Sequence, residues 1–164
     1  MSHACDHHDH NHAPAPVNTA ARLAEAQTLC AEAGERMTTS RLRTYELILE
    51  ASAPVKAYDV IDRFHPDGAA KPPTVYRALS FLEHMGLIHR IESLNAFVAC
   101  GASDHSTGSH HTAGFLLCDC CGQSVEIALP ALGAVDSRAA EAGFKVKRIT
   151  LEARGLCQAC RQDD

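Results

Sequence analysis

Two cysteine pairs carry the strongest chemical signal in this chain: Cys118-x-x-Cys121 and Cys157-x-x-Cys160. Each pair has the spacing of a knuckle that points two thiolates at one ion, and four thiolates make a closed tetrahedral structural zinc site. The gap between the pairs exceeds that of an ordinary zinc ribbon, so the ion would staple the start of one folded unit to its end. A redox pair and two disulfides are the competing readings. A redox Cys-x-x-Cys opens a helix in a thioredoxin-like unit, a context these pairs lack. Cys120, inside the run CDCC, falls outside the i, i+3 spacing and reads as a bystander.

A second set is dispersed: His89, Cys100, His110 and His111, and Glu126. Taken singly, each is an ordinary surface histidine, buried thiol or acid. Together they flank the point where one sequence pattern gives way to another, which suits a metal site between two units. Residues 1–17 hold His3, Cys5, His7, His8, His10 and His12 among Asp, Asn and Pro. This metal-affine tail has nothing to pack into a core, so it reads as disordered sequence that binds divalent metals weakly, with metal loading or buffering as the alternative.

The elements that must position these groups follow from periodicity. A first helix spans 18–35, with Leu23, Ala26, Cys30 and Ala33 at helical spacing, so Cys30 is a small core residue and no ligand. Thr38–Ser40 supplies an N-cap for a second helix over 41–51, with Leu42, Tyr45, Ile48 and Leu49 inward. A short third helix covers 57–64. The fourth opens at Pro72-Pro73, residues tolerated only at or before a first turn, and stops at Gly86. Its stripe of Val75, Leu79, Leu82 and Met85 leaves Thr74, Arg77, Ser80 and His84 off the core. Strands at 87–91 and 97–99 around Ser93-Leu94-Asn95 make a hairpin. These helices and the hairpin, in about 80 residues, form a winged helix-turn-helix, with the fourth helix placed to enter a DNA major groove N-terminal end first. Beyond a polar stretch at 101–109 come strands at 114–117 and 124–128, a helix at 130–142 and a strand at 144–151. That small α/β unit needs a metal or a second copy to complete its burial. The expected architecture is α+β: a tail at 1–17, a winged-helix domain at 18–99 and a zinc-stapled dimerisation domain at 100–164.

Whole-chain properties narrow the function. The 164 residues are 46% hydrophobic and 21% charged, enough for a packed core. No apolar run approaches the ~20 residues of a membrane span, and the N-terminus lacks a secretory pattern, so a cytoplasmic protein with no membrane partner is expected. Eight cysteines in such a chain point to metal or redox chemistry more than to disulfides. The net charge of −5 is spread over the chain and gives no basic patch, so any nucleic-acid contact rests on particular residues. A zinc enzyme is disfavoured because no HExxH motif occurs and neither site offers an open coordination position.

The segments AYDVIDRF (57–64), AKPPTVYRALSFLEHMGLIHRIES (70–93), FVAC (97–100), FLLCDCCG (115–122) and LEARGLCQAC (151–160) resemble the ferric uptake regulator superfamily, specifically its zinc uptake regulator branch. The resemblance extends over nearly everything beyond residue 18, these segments carrying it, and PPTVYRAL is highly family-specific. The resemblance implies a homodimeric, metal-dependent repressor that binds double-stranded DNA. It implies Cys118, Cys121, Cys157 and Cys160 as structural zinc ligands, and His89, Cys100, His111 and Glu126 as regulatory zinc ligands, two zinc ions per subunit. His111 is chosen over His110 because it lies seven residues before Cys118, as in the family pattern. Tyr58 and Arg77 match base-contacting positions, with Lys71, Thr74 and Tyr76 on or near phosphates or bases. Two imidazoles, one thiolate and one carboxylate suit four-coordinate zinc, whereas an iron sensor leans on nitrogen and oxygen. Zinc abundance would then repress zinc-import genes. Iron or peroxide sensing within the family, and a zinc buffer built on the tail, are the alternatives. Two positions depart from the family: Thr38-Thr39-Ser40-Arg41 replaces a Thr-Pro-Gln-Arg start, a neutral cap change, and His65 stands where an arginine would pair adjacent dimers through Asp62.

Overall fold

A computed structural model describes residues 18–65, 71–101, 113–129, 133–146 and 149–161. The His-rich tail and His111 lie outside them. The described residues up to Gly101 belong to one compact unit and those from Ala113 to a second. Cys100 thus falls with the first unit, one residue past the boundary expected from sequence.

In the first unit, helix α1 (Thr19–Glu32) starts where Asn18 accepts from the Ala21 N–H at 3.1 Å. Helix α2 (Thr39–Leu49) starts where the Thr38 hydroxyl accepts from Arg41 N–H at 3.4 Å. Side-chain acceptors at these positions satisfy backbone donors that the helix cannot. Helix α3 (Ala57–Arg63) is opened by the Asp59 carboxylate, which accepts from Lys56 N–H at 3.2 Å. Helix α4 (Pro72–His84) carries both prolines at its first positions, where their missing N–H costs nothing. Gly86, at φ +71°, takes the left-handed turn that ends it.

The helices pack through one core. Tyr45, Leu47 and Ile48 of α2 meet Val60 and Ile61 of α3 and Val75, Leu79 and Leu82 of α4, with Ala26 and Cys30 of α1 buried among them. Cys30 is therefore the core thiol its spacing implies. Leu42, expected inward, is only half-buried, and Leu47 and Thr44 take the interior in its place. Polar ties fix the helices further. Arg43 of α2 donates to the carbonyls of Arg63 and Phe64 at the end of α3, at 3.3 and 3.1 Å, and the Arg41 guanidinium lies 3.3 Å from the Phe81 ring centroid on α4.

The wing is a three-stranded antiparallel sheet in the order β1-β3-β2. Strand β2 (Ile88–Ile91) pairs with β3 (Ala96–Ala99), and β3 with the two-residue β1 (Val55–Lys56). Asn95, at φ +47°, closes the hairpin, a conformation asparagine tolerates better than most residues. Strand β1 is too short to show an alternating pattern, which is why sequence reading finds only two wing strands.

The second unit is a sheet in the order β5-β4-β6 with helix α5 (Gly133–Glu141) between β5 and β6. Strands β4 (Ala113–Cys118) and β5 (Ser124–Ala128) form an antiparallel hairpin, and β6 (Thr150–Gly155) runs parallel to β4. The last strand differs from the expected 144–151. The apolar residues Phe144, Val146, Ile149 and Leu151 suggest a strand over that stretch, but β4 pairs with residues 150–155, the register that ends β6 at Gly155 opposite Cys118. One face of the sheet aligns Phe115 with Glu126 and Glu152; the other aligns Leu116 with Val125 and Ala153. Phe115 and Leu117 are buried, while Leu116, Val125 and Leu151 stay exposed and α5 buries no residue.

Candidate metal centres and nucleic-acid interface

The β4–β5 turn and the end of β6 deliver the four cysteines to one place. Cys118 is the last residue of β4; its N–H donates to the Gln123 carbonyl at 2.9 Å, and Gly122, at φ +73°, donates back to the Cys118 carbonyl at 3.1 Å. This closed turn turns Cys121 back toward Cys118. On the other side, Cys160 and Arg161 both donate to the Cys157 carbonyl, at 3.0 and 2.8 Å, forming the second knuckle. The knuckles are joined by Asp119 N–H to the Gly155 carbonyl at 2.8 Å and by Cys157 N–H to the Cys118 sulfur at 3.3 Å. Arg154 adds a brace, donating from Nε and Nη2 to one Asp119 oxygen at 2.8 and 2.6 Å. Its spacing gave no sign of this brace, because Arg154 and Asp119 meet only through the β4–β6 register.

The sulfurs of Cys118, Cys121, Cys157 and Cys160 all lie within 4.8 Å of one another. Cys121 and Cys157 sulfurs are 3.8 Å apart. That is far from the ~2.05 Å of a disulfide. It equals the edge of a tetrahedron with zinc–sulfur bonds of about 2.3 Å, which is about 3.8 Å. All the described cysteines are free thiols. The donor set therefore fits zinc and not a pair of disulfides. Cys120 is outside this set of four, as its spacing implies.

The electrostatics ask for a cation. Burial disfavours the Cys118 thiolate, but the backbone N–H groups of Cys121, Cys157 and Cys120 outweigh it and bring its pKa from 9.0 down to about 6. Cys160 moves the other way, raised by desolvation and by its thiol neighbours Cys157, Cys120 and Cys121. The Gln123 backbone N–H favours the Cys121 thiolate, yet burial and the neighbouring Cys118 and Cys157 leave it raised. One thiolate is thus easy to form and further ones are costly until a positive ion divides the charge.

The dispersed set is placed in two parts. His89 lies on β2, paired with Val98, and is half-buried. Cys100 follows β3 directly, its N–H donating to the Leu87 carbonyl at 3.0 Å, and the residue is 1% exposed. A ring nitrogen of His89 and the Cys100 sulfur lie within 4.8 Å of each other. Glu126 is half-buried in the centre of β5, on the Phe115 face of the second unit's sheet.

Of the residues expected at DNA, Tyr58 lies on α3, Lys71 is the N-cap of α4, and Thr74, Tyr76 and Arg77 lie on α4. Tyr58 on α3 is 72% exposed and Tyr76 on α4 is 48% exposed. Arg77 is exposed, as is Lys71 at the N-cap of α4, and neither has an ion-pair partner among the described residues. Thr74, half-buried, donates its N–H to the Lys71 carbonyl at 2.9 Å and belongs to the first turn. The core side of α4 is fixed by Val75, Ala78, Leu79 and Leu82, so the opposite side is held outward.

A winged helix followed by a cysteine-bearing β unit agrees with what comparison finds. The ferric uptake regulator family model matches residues 32–154, and the chain belongs to that family. It is 39% identical to the zinc uptake regulation protein of Escherichia coli (strain K12) over 140 residues, 84% of this chain and 80% of that one. Among solved structures it is similar to a zinc uptake regulator complexed with zinc and DNA, at TM-score 0.79 and 37% identity, covering 88% of this chain and 95% of that chain. It is also similar to the holo form of XcZur, at TM-score 0.75 and 39% identity, covering 85% and 96%.

Proposed function

We propose that the protein is a zinc-responsive transcriptional repressor, a homodimer that binds palindromic operators of zinc-uptake genes when zinc-loaded and leaves them when zinc is scarce. The observation that carries this is its likeness, at 37% identity along 88% of its length, to a zinc uptake regulator complexed with zinc and DNA. The exposure of Tyr58, Lys71, Tyr76 and Arg77 supports the DNA role: Arg77 and Tyr58 read bases while Lys71, Thr74 and Tyr76 hold phosphates or bases. The exposed apolar face of Leu116, Val125 and Leu151, on a unit that buries few side chains of its own, supports pairing with a second copy. A catalytic role is not part of this reading, because with four ligands in each proposed site neither zinc keeps an open position.

The zinc count proposed is two per subunit. Cys118, Cys121, Cys157 and Cys160 hold the structural ion; His89, Cys100, His111 and Glu126 hold the regulatory one. When bound there, zinc supplies a fixed tetrahedral link between residues of the wing and residues of the second domain. His89 on β2 and Cys100 directly after β3 give the wing a rigid grip, because both strands pack into the core of the first unit through Ile88 and Phe97. Restraining the wing restrains α4, and the spacing of two α4 helices in a dimer decides whether both reach their half-sites. With the grip released, the DNA-competent arrangement is one of many, and apparent affinity falls by its fractional population. The His-rich tail is proposed as a further weak binding segment, outside the switch itself. The reading places the protein in the cytoplasm, where DNA is; no helix among the described residues is long and apolar enough to cross a membrane.

Metal analysis of purified protein tests the assignment. Two zinc ions per subunit are expected, falling to one in His89→Ala. In anaerobic competition the second site should take zinc over ferrous iron; preferential iron loading would overturn the zinc reading in favour of an iron or peroxide sensor.

A further inference from the structure

Arg22 occupies an unusual position. It sits near the start of α1, where a cation opposes the helix dipole, and its side chain is only 19% exposed. Its nearest carboxylate, Glu25, is 3.9 Å away, a weak compensation. The guanidinium instead reaches across 78 positions of sequence to the Cys100 carbonyl, donating from Nη2 at 2.5 Å, and lies 3.4 Å from the Tyr45 hydroxyl. Tyr45 is fully buried in α2, so its hydroxyl is a fixed point.

The consequence falls on Cys100. Its N–H is tied to the Leu87 carbonyl at 3.0 Å and its C=O to Arg22, so the peptide groups on both sides of its Cα are anchored. A residue with both flanking peptides held has little freedom left except χ1; Cys100 is 1% exposed, and its sulfur already lies within 4.8 Å of a His89 ring nitrogen. Metal ligands are commonly oriented by such outer contacts, whose loss weakens binding without removing a ligand.

We propose that Arg22, buttressed by Tyr45, is a positioning residue for Cys100 and presets that thiol for zinc. This rests on the reading of Cys100 as a ligand of the second site. It makes helix α1 part of the sensor, although α1 contributes no ligand.

The test uses the full chain, with zinc kept in the four-cysteine site and cobalt(II) titrated into the second. The near-ultraviolet thiolate-to-cobalt band then reports Cys100 directly. Arg22→Gln is expected to weaken cobalt binding, and zinc competition against it, by about 10–100-fold, and to alter the band, with four-cysteine zinc content unchanged. Arg22→Lys, which keeps a cation for one of the two acceptors, should recover part of the affinity. Tyr45→Phe should show a smaller loss in the same direction, and it carries the test if Arg22→Gln does not fold. A variant pair that melts earlier yet binds cobalt with wild-type affinity and an unchanged band would overturn the proposal, since the contact would then be purely structural. Cys100→Ser separates the two layers. If the band survives Cys100→Ser, the ligand assignment itself fails; if it vanishes there while Arg22→Gln and Tyr45→Phe titrate like wild type, positioning alone fails.

Discussion

Replacing Cys121 by serine should unfold the second unit and spare the first. Among the described residues of that unit, the large apolar side chains that are buried are Phe115 and Leu117. At about 1.5–3 kcal/mol each, they contribute about 3–6 kcal/mol. A structural zinc ion contributes about 10–16 kcal/mol in small zinc-dependent folds, so the ion outweighs the core. The first unit has its own cluster, from Ala26 on α1 through Tyr45, Leu79 and Phe97, with no part in the four-cysteine site. Hydrogen exchange followed by mass spectrometry gives the assay. In Cys121→Ser, amides of β4, β5 and β6 should lose protection together while those of α2 and α4 keep it, and the variant should lose one zinc per subunit. Serine cannot replace the thiolate at a tetrahedral edge of 3.8 Å without lengthening or breaking a bond. Retained protection in β4–β6 with the zinc gone would refute the argument that the metal, and not the apolar core, holds this unit together.

Other perturbations separate the remaining parts of the account. Arg77→Ala should cost about 1–3 kcal/mol of operator binding and relax sequence preference, whereas Lys71→Ala should weaken all sequences alike and lower the salt slope by about one; anisotropy titrations at several salt concentrations distinguish them. The Cys118 pKa, lowered from 9.0 to about 6, makes its thiolate a stabilising group above the ordinary thiol range, and that contribution is lost as pH falls through about 6. Zinc loading at pH 7.5 should therefore release fewer than four protons from this site, read by calorimetry in buffers of different ionisation enthalpy, and chelator stripping should speed up markedly below pH 6. Gly114→Ala would place a Cβ 2.9 Å from Ile127 Cγ1 and 3.0 Å from Leu129 Cγ, so it should destabilise the β4–β5 hairpin by about 1–3 kcal/mol in thermal melts.

Much of this was written in local patterns. The α4 stripe of Val75, Leu79 and Leu82 with its leading prolines, and Gly86 beyond its end, mark a helix because period, start signal and stop signal agree. The four cysteines declare themselves by spacing, since a knuckle is a local object. What stayed hidden depends on pairing between distant segments. Strand β6 lies beyond the apolar stretch that suggested it because its place is set by pairing with β4 and not by its own hydrophobicity. The Arg154–Asp119 brace and the Arg22–Cys100 tie are contacts across 35 and 78 residues, which no periodicity announces. The dispersed ligand set is intermediate: the ligand chemistry of its residue types is readable, but only resemblance gathers them into a site.

The central claim is that zinc at the second site governs DNA binding. Its most direct test is anisotropy of a fluorescent palindromic operator across a graded zinc buffer, with wild type and His89→Ala side by side. The account predicts wild-type binding that appears over a narrow zinc range and disappears with chelator, while His89→Ala stays weak at zinc levels that keep the four-cysteine site filled. Strong binding that is indifferent to chelator, or that His89→Ala leaves unchanged, would contradict it.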